Sequence, residues 1–315
     1  LPWRYFVVAN SDAEILTSTM TCRLVGGSVI DASWVEPGQV SWDWWNGLGI
    51  YGADVDFEAG INTATYKYYV DFASRYGIKY IILDEGWSRS TYDILHTTDA
   101  LDLVELVNYG KQKGVGVILW LTWTSVDSNF DKVFKHYADM GVKGFKIDFM
   151  DRGDQWMVNY YERVTKEAAK YKLLIDFHGS YKPSGLEQMY PNLISYEGVR
   201  GMEQNGNCQP KNSIYLPFMR NVAGPMDYTP GSMQSVQPEV YGSHRPQSQS
   251  PGTRAYQLAL FVVFESGLQM LGDSPTQYML NPEATKFIAG VPTTWDETVV
   301  LDAKLGEYVI IAKRK

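Results

Sequence analysis

Short apolar runs alternate with amphipathic stretches along most of the chain. Six of these runs carry acidic or aromatic residues toward their carboxyl ends, and apolar positions at helical spacing follow most of them. The runs span residues 39–45, 79–87, 115–123, 144–152, 173–179 and 193–197. Near-continuous apolar strands that alternate with amphipathic helices predict a parallel sheet that is buried on both faces.

Two further strands would close such a sheet into a barrel. The sequence predicts the seventh at 219–222, followed by a loop over 224–231, and the eighth at 268–275. Eight strand-helix units over residues 1–291 make a closed (β/α)8 TIM barrel the expected fold. An open doubly wound sheet is the alternative, but no glycine-rich phosphate-binding turn follows the first strand.

The pattern differs at both ends of the chain. From about residue 292 the apolar positions predict a β-hairpin, so we expect 292–315 to begin an antiparallel C-terminal β domain. Residues 1–8 predict a strand and lack the charged leader and cleavage site of a signal peptide, so we expect that Leu1 is not the natural start. No apolar run reaches the roughly 18 residues of a membrane span, and no membrane insertion is expected.

Charge and aromatic content narrow the class of partner. The formal net charge of -8 argues against a nucleic-acid partner or an anionic membrane surface. Aromatic residues make up 14% of the chain, and rings at strand ends often form flat apolar walls for sugars, although most are expected to be core residues. Cys22 and Cys208 show no metal-type spacing, so they leave the redox compartment open. The oligomeric state also stays open.

Polar and aromatic residues stand where the predicted strands end. They are Asp43, Asp84, Glu85, Trp120, Trp123, Asp148, Asp176, His178, Glu197, Asp227 and Asp273. In a barrel, the carboxyl ends of the strands form the active face. Carboxylates and tryptophans without phosphate-binding loops suit a neutral polyhydroxylated ligand, and a pair of acids can cleave a glycosidic bond. Any single acid could instead cap a helix or pair with a cation.

The run 144–152 places a lysine two residues before an aspartate. Lys146 and Asp148 therefore share one side of a strand, because side chains alternate with period two. A catalytic pair and a salt-bridged structural pair both fit this segment taken alone.

Other site chemistries have less support. Of the four histidines, His178 alone falls at a predicted strand end, which argues against a His-rich zinc or di-metal site. The others fall in predicted helices or loops: His96, His136 and His244. Glu197 and Glu203 could offer oxygen ligands to a hard cation such as Ca²⁺. No Gly-x-Ser-x-Gly elbow occurs, and neither cysteine lies at a strand end, so no serine or cysteine nucleophile is expected.

Five motifs resemble glycoside hydrolase family 97, and the match is collinear from about Trp3 to Pro292. The motifs are SWDWW at 41–45, DEGW at 84–87, KIDFMDR at 146–152, DFHG at 176–179 and YEGVRGME at 196–203. The resemblance implies an α-glucoside or α-galactoside hydrolase of the Bacteroides type, periplasmic or secreted, with calcium in the site. It also implies an N-terminal β-sandwich, absent from this chain, and a small C-terminal β domain.

The resemblance separates two mechanisms. Retaining members have an aspartate nucleophile at the end of the fourth strand, which Asp148 matches, whereas inverting members have a glutamate where this chain has Gly179. The implied function is an exo-acting retaining α-galactosidase, with Asp148 as nucleophile and Glu203 as acid and then base. Retention predicts that their carboxyl groups lie roughly 5 to 5.5 Å apart. An α-glucosidase of the family and a non-catalytic carbohydrate-binding barrel are the alternatives.

The resemblance also implies the remaining site residues. Glu197 and Glu203 match calcium ligands, and a further ligand would come from the N-terminal domain, so we expect an incomplete calcium site if this chain is studied alone. The expected sugar-binding residues are Trp42, Asp43, Lys146 and His178. A cation on Glu203 would lower its pKa, whereas a general acid must hold a proton, and we expect burial to compensate.

Overall fold

Seven parallel strands form one sheet that curves into a nearly closed barrel in the computed structural model, which describes residues 4–315 apart from the side chains of 205–207. In chain order the strands are β1 (Gly38–Trp42), β2 (Tyr80–Leu83), β3 (Gly116–Thr122), β4 (Gly144–Asp148), β5 (Leu174–Phe177), β6 (Leu193–Tyr196), β7 (Ser235–Val236), β8 (Ser250–Pro251), β9 (Leu268–Leu271), β10 (Glu297–Lys304) and β11 (Tyr308–Arg314). The barrel order is β6-β5-β4-β3-β2-β1-β9. The predicted TIM-barrel fold is confirmed, and each of the six predicted runs contains or overlaps one strand.

Helices connect the strands and cover the outside of the barrel. They are α1 (Asp12–Leu16), α2 (Met20–Leu24), α3 (Thr63–Tyr76), α4 (Leu103–Lys113), α5 (Trp123–Ser128), α6 (Phe130–Met140), α7 (Gln155–Lys170), α8 (Leu186–Met189), α9 (Pro210–Ser213), α10 (Leu216–Met219), α11 (Arg254–Val263), α12 (Pro275–Leu280) and α13 (Pro282–Gly290). Short 3₁₀ helices span Met202–Asn207, Asn221–Ala223 and Pro238–Val240. Local signals set these bounds: the Asn62 side chain caps α3 by accepting from Thr65 N, and Gly77 ends it in the left-handed conformation.

Two apolar layers hold the barrel together. The larger lies between the sheet and the helices and includes Ile81, Leu119 and Phe145. The smaller includes Val40 and Ile82 and lies on the opposite face of the strands, inside the barrel, because side chains alternate along each strand. The interior is therefore packed up to the carboxyl ends of the strands, where polar residues take over.

The seventh strand was predicted in the wrong place. Residues 219–222 close α10 and enter the 3₁₀ turn Asn221–Ala223. The segment 225–230, which belongs to the predicted loop, lies between β6 and β9: Asp227 N donates to Tyr196 O at 2.7 Å, and Gly272 N donates to Pro230 O at 2.8 Å. Its two prolines have no N–H to donate, so a regular ladder cannot form there. Because the segment has the composition of a loop, its place in the barrel could not be recognised from the sequence.

At the two ends of the chain, the predicted C-terminal hairpin is confirmed and the predicted N-terminal strand is wrong. β10 and β11 pair antiparallel, which confirms the predicted hairpin, and its role as the start of a β domain stays a prediction. Residues 4–8 form no strand, contrary to prediction, and residues 1–3 of that segment lie outside the described residues. Among the helices of residues 4–315, none is long and apolar enough to cross a membrane.

Candidate active site

The strand register brings three predicted site residues to one level of the barrel. Trp120 of β3 pairs with Lys146 of β4, which pairs with Asp176 of β5. Asp148 lies one inward-facing position further along β4, opposite Thr122. Because alternate side chains face the interior, the lysine lies deep in the barrel mouth and the aspartate lies nearer the rim.

Lys146 pairs with Asp84 at the floor of the site. The Lys146 Nζ to Asp84 Oδ2 distance is 2.8 Å, and both side chains are buried. Trp42 Nε1 donates to the same oxygen at 2.7 Å, and the ammonium lies 4.5 Å from the centroid of the Trp42 ring. Burial alone would lower the pKa of Lys146, but the carboxylates of Asp84, Glu203, Asp148 and Asp227 outweigh it and raise that pKa. Lys146 is therefore a fixed cation.

Asp43 contacts Asp84 and helps to hold it in place. Its carboxylate accepts from Tyr66 OH at 2.8 Å and from Asp84 N at 3.2 Å. Burial, together with the negative charge of Asp84, raises the pKa of Asp43 to about 7. These contacts orient Asp84, and direct contact of Asp43 and Trp42 with a sugar stays a prediction.

Two N–H donors hold the Asp148 carboxylate at the mouth. Trp120 Nε1 donates to Oδ2 at 2.8 Å, and the backbone N–H of Phe149 donates to Oδ1 at 2.6 Å. Asp148 is only partly buried, unlike the residues below it. The carboxylate is thus fixed in orientation and open to a ligand, as a nucleophile must be.

His178 stands between three carboxylates on the other side of the mouth. Its Nε2 lies 2.7 Å from Asp227 Oδ2 and 3.7 Å from Asp176 Oδ2, and its Nδ1 lies 4.0 Å from Glu197 Oε2. Burial and the charge of Lys146 act to lower the pKa of His178, but the three carboxylates raise it well above its ordinary value. Burial and the charge of Asp227 raise the pKa of Asp176.

Glu197 and Glu203 face each other next to His178. Glu197 Oε2 accepts from Gly179 N at 2.8 Å, and Glu203 N donates to Thr229 Oγ1 at 3.3 Å. Burial raises the pKa of Glu203 to about 8, although His178 and Lys146 oppose the shift. The direction agrees with the expectation that burial would help an acid keep its proton. The predicted spacing between Asp148 and Glu203 stays a prediction.

The same residues could hold a metal ion. Ligand atoms of His178, Glu197 and Glu203 lie within 4.8 Å of one another. Carboxylate oxygens suit a hard cation such as calcium, and the ring nitrogen of His178 does not. In a second such group Asp176, His178 and Asp227 approach one another, but there His178 Nε2 is already 2.7 Å from Asp227 Oδ2.

Sequence reasoning missed the residues that act through the backbone. Arg220, predicted inside a strand, is buried and donates to five carbonyl oxygens, among them those of Glu197 and Pro225. It fixes the end of β6 to the segment that completes the barrel. No sequence pattern signals such contacts, because every acceptor is a main-chain oxygen.

Comparisons with known proteins find relatives of this chain among the glycoside hydrolases. The profile of glycoside hydrolase 97 matches residues 44–199. A retaining alpha-galactosidase of Bacteroides thetaiotaomicron is 47% identical over 100% of this chain, which covers 48% of that relative. A probable retaining alpha-galactosidase of Streptomyces bingchenggensis is 34% identical over 99% of the chain, which covers 47% of it. The chain thus spans about half the length of these relatives.

Solved structures share the fold over nearly the whole chain. A glycoside hydrolase family 97 enzyme from Pseudoalteromonas sp. strain K8, in complex with acarbose, superposes with a TM-score of 0.84 at 30% identity and covers 97% of this chain and 51% of that one. A beta-arabinopyranosidase superposes with a TM-score of 0.79 at 27% identity over 96% of this chain and 49% of its own.

Proposed function

Because the chain belongs to glycoside hydrolase family 97, we propose that it forms the catalytic barrel of an exo-acting retaining α-galactosidase that hydrolyses terminal α-galactosides. The observation that carries the proposal is Asp148, held by two N–H donors at the carboxyl end of β4. The name of the Bacteroides relative, a retaining alpha-galactosidase, supports the same assignment.

Gly179 supports retention over inversion. A Cβ at Gly179 would lie 3.0 Å from the N and Cα of Phe149, and the residue has a φ of +54°. A glutamate side chain there would displace the backbone that follows Asp148. The chain therefore accommodates the aspartate and not the glutamate that the inverting mechanism needs at this position.

The reaction then proceeds in two displacements. Asp148 attacks the anomeric carbon, the bond from that carbon to the leaving-group oxygen breaks, and Glu203 gives its proton to that oxygen. Glu203 next takes a proton from water, whose oxygen bonds to the anomeric carbon and displaces Asp148. The Asp84–Lys146 pair and His178 line the mouth and provide donors and acceptors for sugar hydroxyls.

Glu197 and Glu203 would hold a calcium ion, because paired carboxylates suit a hard cation. A bound ion supplies positive charge next to the leaving-group side of the site. The role of this chain is to position those carboxylates: Gly179 N donates to the Glu197 carboxylate, and the backbone N–H of Glu203 donates to Thr229 Oγ1, which holds the main chain that carries the Glu203 side chain.

Rates of hydrolysis of p-nitrophenyl α-galactoside and α-glucoside by the full-length protein test the substrate assignment. A higher kcat/KM for the galactoside supports the proposal, and a higher value for the glucoside favours the α-glucosidase alternative. Asp148→Ala should abolish hydrolysis, and added azide should restore turnover and yield β-galactosyl azide. Asp151→Ala, which removes an exposed carboxylate of the same loop, is the matched control. An unchanged rate in Asp148→Ala would show that Asp148 is not the nucleophile, and a wild-type protein that hydrolyses neither substrate would favour the non-catalytic carbohydrate-binding barrel.

A further inference from the structure

We propose that Phe149 forms the contact surface for the leaving-group sugar, so that the substrate is an α-galactosyl oligosaccharide whose second sugar packs on this ring. The inference rests on the proposed function, because it assigns the outer part of the same site.

Phe149 is exposed where an apolar residue would ordinarily be buried. Phe149 is 49% exposed, although it directly follows β4, in which Phe145 and Ile147 are completely buried. Its φ of +61° places it in the left-handed region, which is uncommon for residues other than glycine. The backbone thus directs a large aromatic ring away from the core, and such outliers cluster at functional sites.

The ring lies next to the proposed nucleophile. Its centroid is 5.7 Å from that of Trp120, in an edge-to-face arrangement at 85°. The same Trp120 donates its Nε1 hydrogen to Asp148, and the N–H of Phe149 donates to the other oxygen of that carboxylate. Both the backbone and the side chain of Phe149 are therefore fixed relative to Asp148.

Exposure rises outward along the inward-facing residues of β4 and is highest at Phe149, the first residue after the strand. This order assigns the inner residues to the terminal sugar and the outer residue to the second sugar. Lys146 is 1% exposed at the floor, Asp148 is intermediate, and Phe149 is 49% exposed. In an exo-acting enzyme the terminal sugar occupies the closed inner end, and the leaving group extends toward solvent from the anomeric carbon that Asp148 attacks. An apolar ring one residue beyond Asp148 is placed to pack against the C–H face of that second sugar, as aromatic walls do in many ligand sites.

The test compares two substrates that differ only in the leaving group: an α-1,6-linked galactosyl disaccharide and α-galactosyl fluoride. For each variant of the full-length protein, the ratio of kcat/KM for the disaccharide to kcat/KM for the fluoride is measured. Phe149→Ala should lower this ratio by about threefold to tenfold, the range that one aromatic contact gives. Phe149→Tyr, which keeps the ring, should retain the wild-type ratio.

Trp156→Ala is the matched control. Trp156 is 44% exposed and belongs to the same region of the chain, but its ring packs against Trp123 and Tyr160. A wild-type ratio in Phe149→Ala, even with lower rates on both substrates, would show that the ring only supports Asp148 and would overturn the inference. A fall of equal size in Trp156→Ala would also overturn it. A wild-type protein inactive on both substrates would instead overturn the proposed function itself.

Discussion

Gly179→Ala places one methyl group against the backbone that carries the proposed nucleophile. The added carbon would lie 3.0 Å from the N and Cα of Phe149 and 3.1 Å from Met150 N. All three are main-chain atoms, so no side chain can rotate away to make room. Because Phe149 N donates to Asp148 Oδ1 at 2.6 Å, a shift of this loop also moves the carboxylate.

The expected magnitude combines a conformational and a steric cost. Alanine at a φ of +54° costs about 1 to 2 kcal/mol relative to glycine. Relief of the contacts requires the loop to move by a few tenths of an ångström, and misplacement of a reacting group by about 1 Å can reduce the rate roughly 100-fold. We therefore expect a stability loss of about 1 to 3 kcal/mol and a decrease in kcat of roughly 10- to 100-fold.

Urea denaturation and kcat on an aryl α-galactoside measure the two effects separately. Gly153→Ala is the control, since Gly153 lies after β4 in the loop that begins with Phe149 and Met150, and a Cβ there meets no atom within 4 Å. That variant should stay within about 0.5 kcal/mol of wild type and keep its rate. A Gly179→Ala protein that loses stability but keeps the wild-type kcat would refute the coupling between position 179 and Asp148.

Three further predictions concern individual charged residues. Lys146→Met should destabilise the fold by about 3 to 5 kcal/mol in urea denaturation, because it leaves the buried Asp84 carboxylate without its cation, and Lys146→Met with Asp84→Asn should lose less than the sum of the single changes. Additive losses would contradict this pairing. Burial raises the pKa of Asp273 to about 7, above its value of about 4 in an unfolded chain, so its contribution to stability is fully present below about pH 4 and is lost as pH rises from there through 7. Asp273→Asn should flatten the pH dependence of the unfolding free energy over that range, and an unchanged slope would show that Asp273 does not titrate there. Calcium should raise the melting temperature of the full-length protein, whereas Glu197→Gln should weaken this response at least tenfold in calcium concentration, as loss of one charged ligand does. An identical calcium titration in wild type and variant would exclude Glu197 as a ligand.

The sequence predicted the barrel where burial alone decides the structure. β1 to β6 are apolar because both faces of the sheet are covered, so their runs were visible without any knowledge of pairing. The prediction of the seventh strand is wrong for the converse reason, because the segment that fills this place is not a continuous apolar run. Pro225 and Pro230 interrupt the ladder, and the segment is held by long-range bonds to Tyr196 and Gly272.

The sequence predicted which residues lie in the site but not which of them pair with one another. Position at a strand end was enough to nominate Asp148, Asp84 and His178. The sequence suggested Asp148 as the neighbour of Lys146, but the ammonium is bound by Asp84. This residue follows β2, which β3 separates from β4, and it lies 62 residues away in the chain. Pairs of residues that are distant in sequence form only when the barrel closes, and no local sequence pattern predicts them.

The first-formed anomer of galactose tests the central claim, a double displacement through Asp148. Proton NMR during hydrolysis of an α-galactoside by the full-length protein resolves the two anomers before mutarotation mixes them. The account predicts that α-galactose appears first and that β-galactose follows only at the rate of mutarotation. β-Galactose as the first product would show a single displacement by water and would contradict the assignment of Asp148 as the nucleophile.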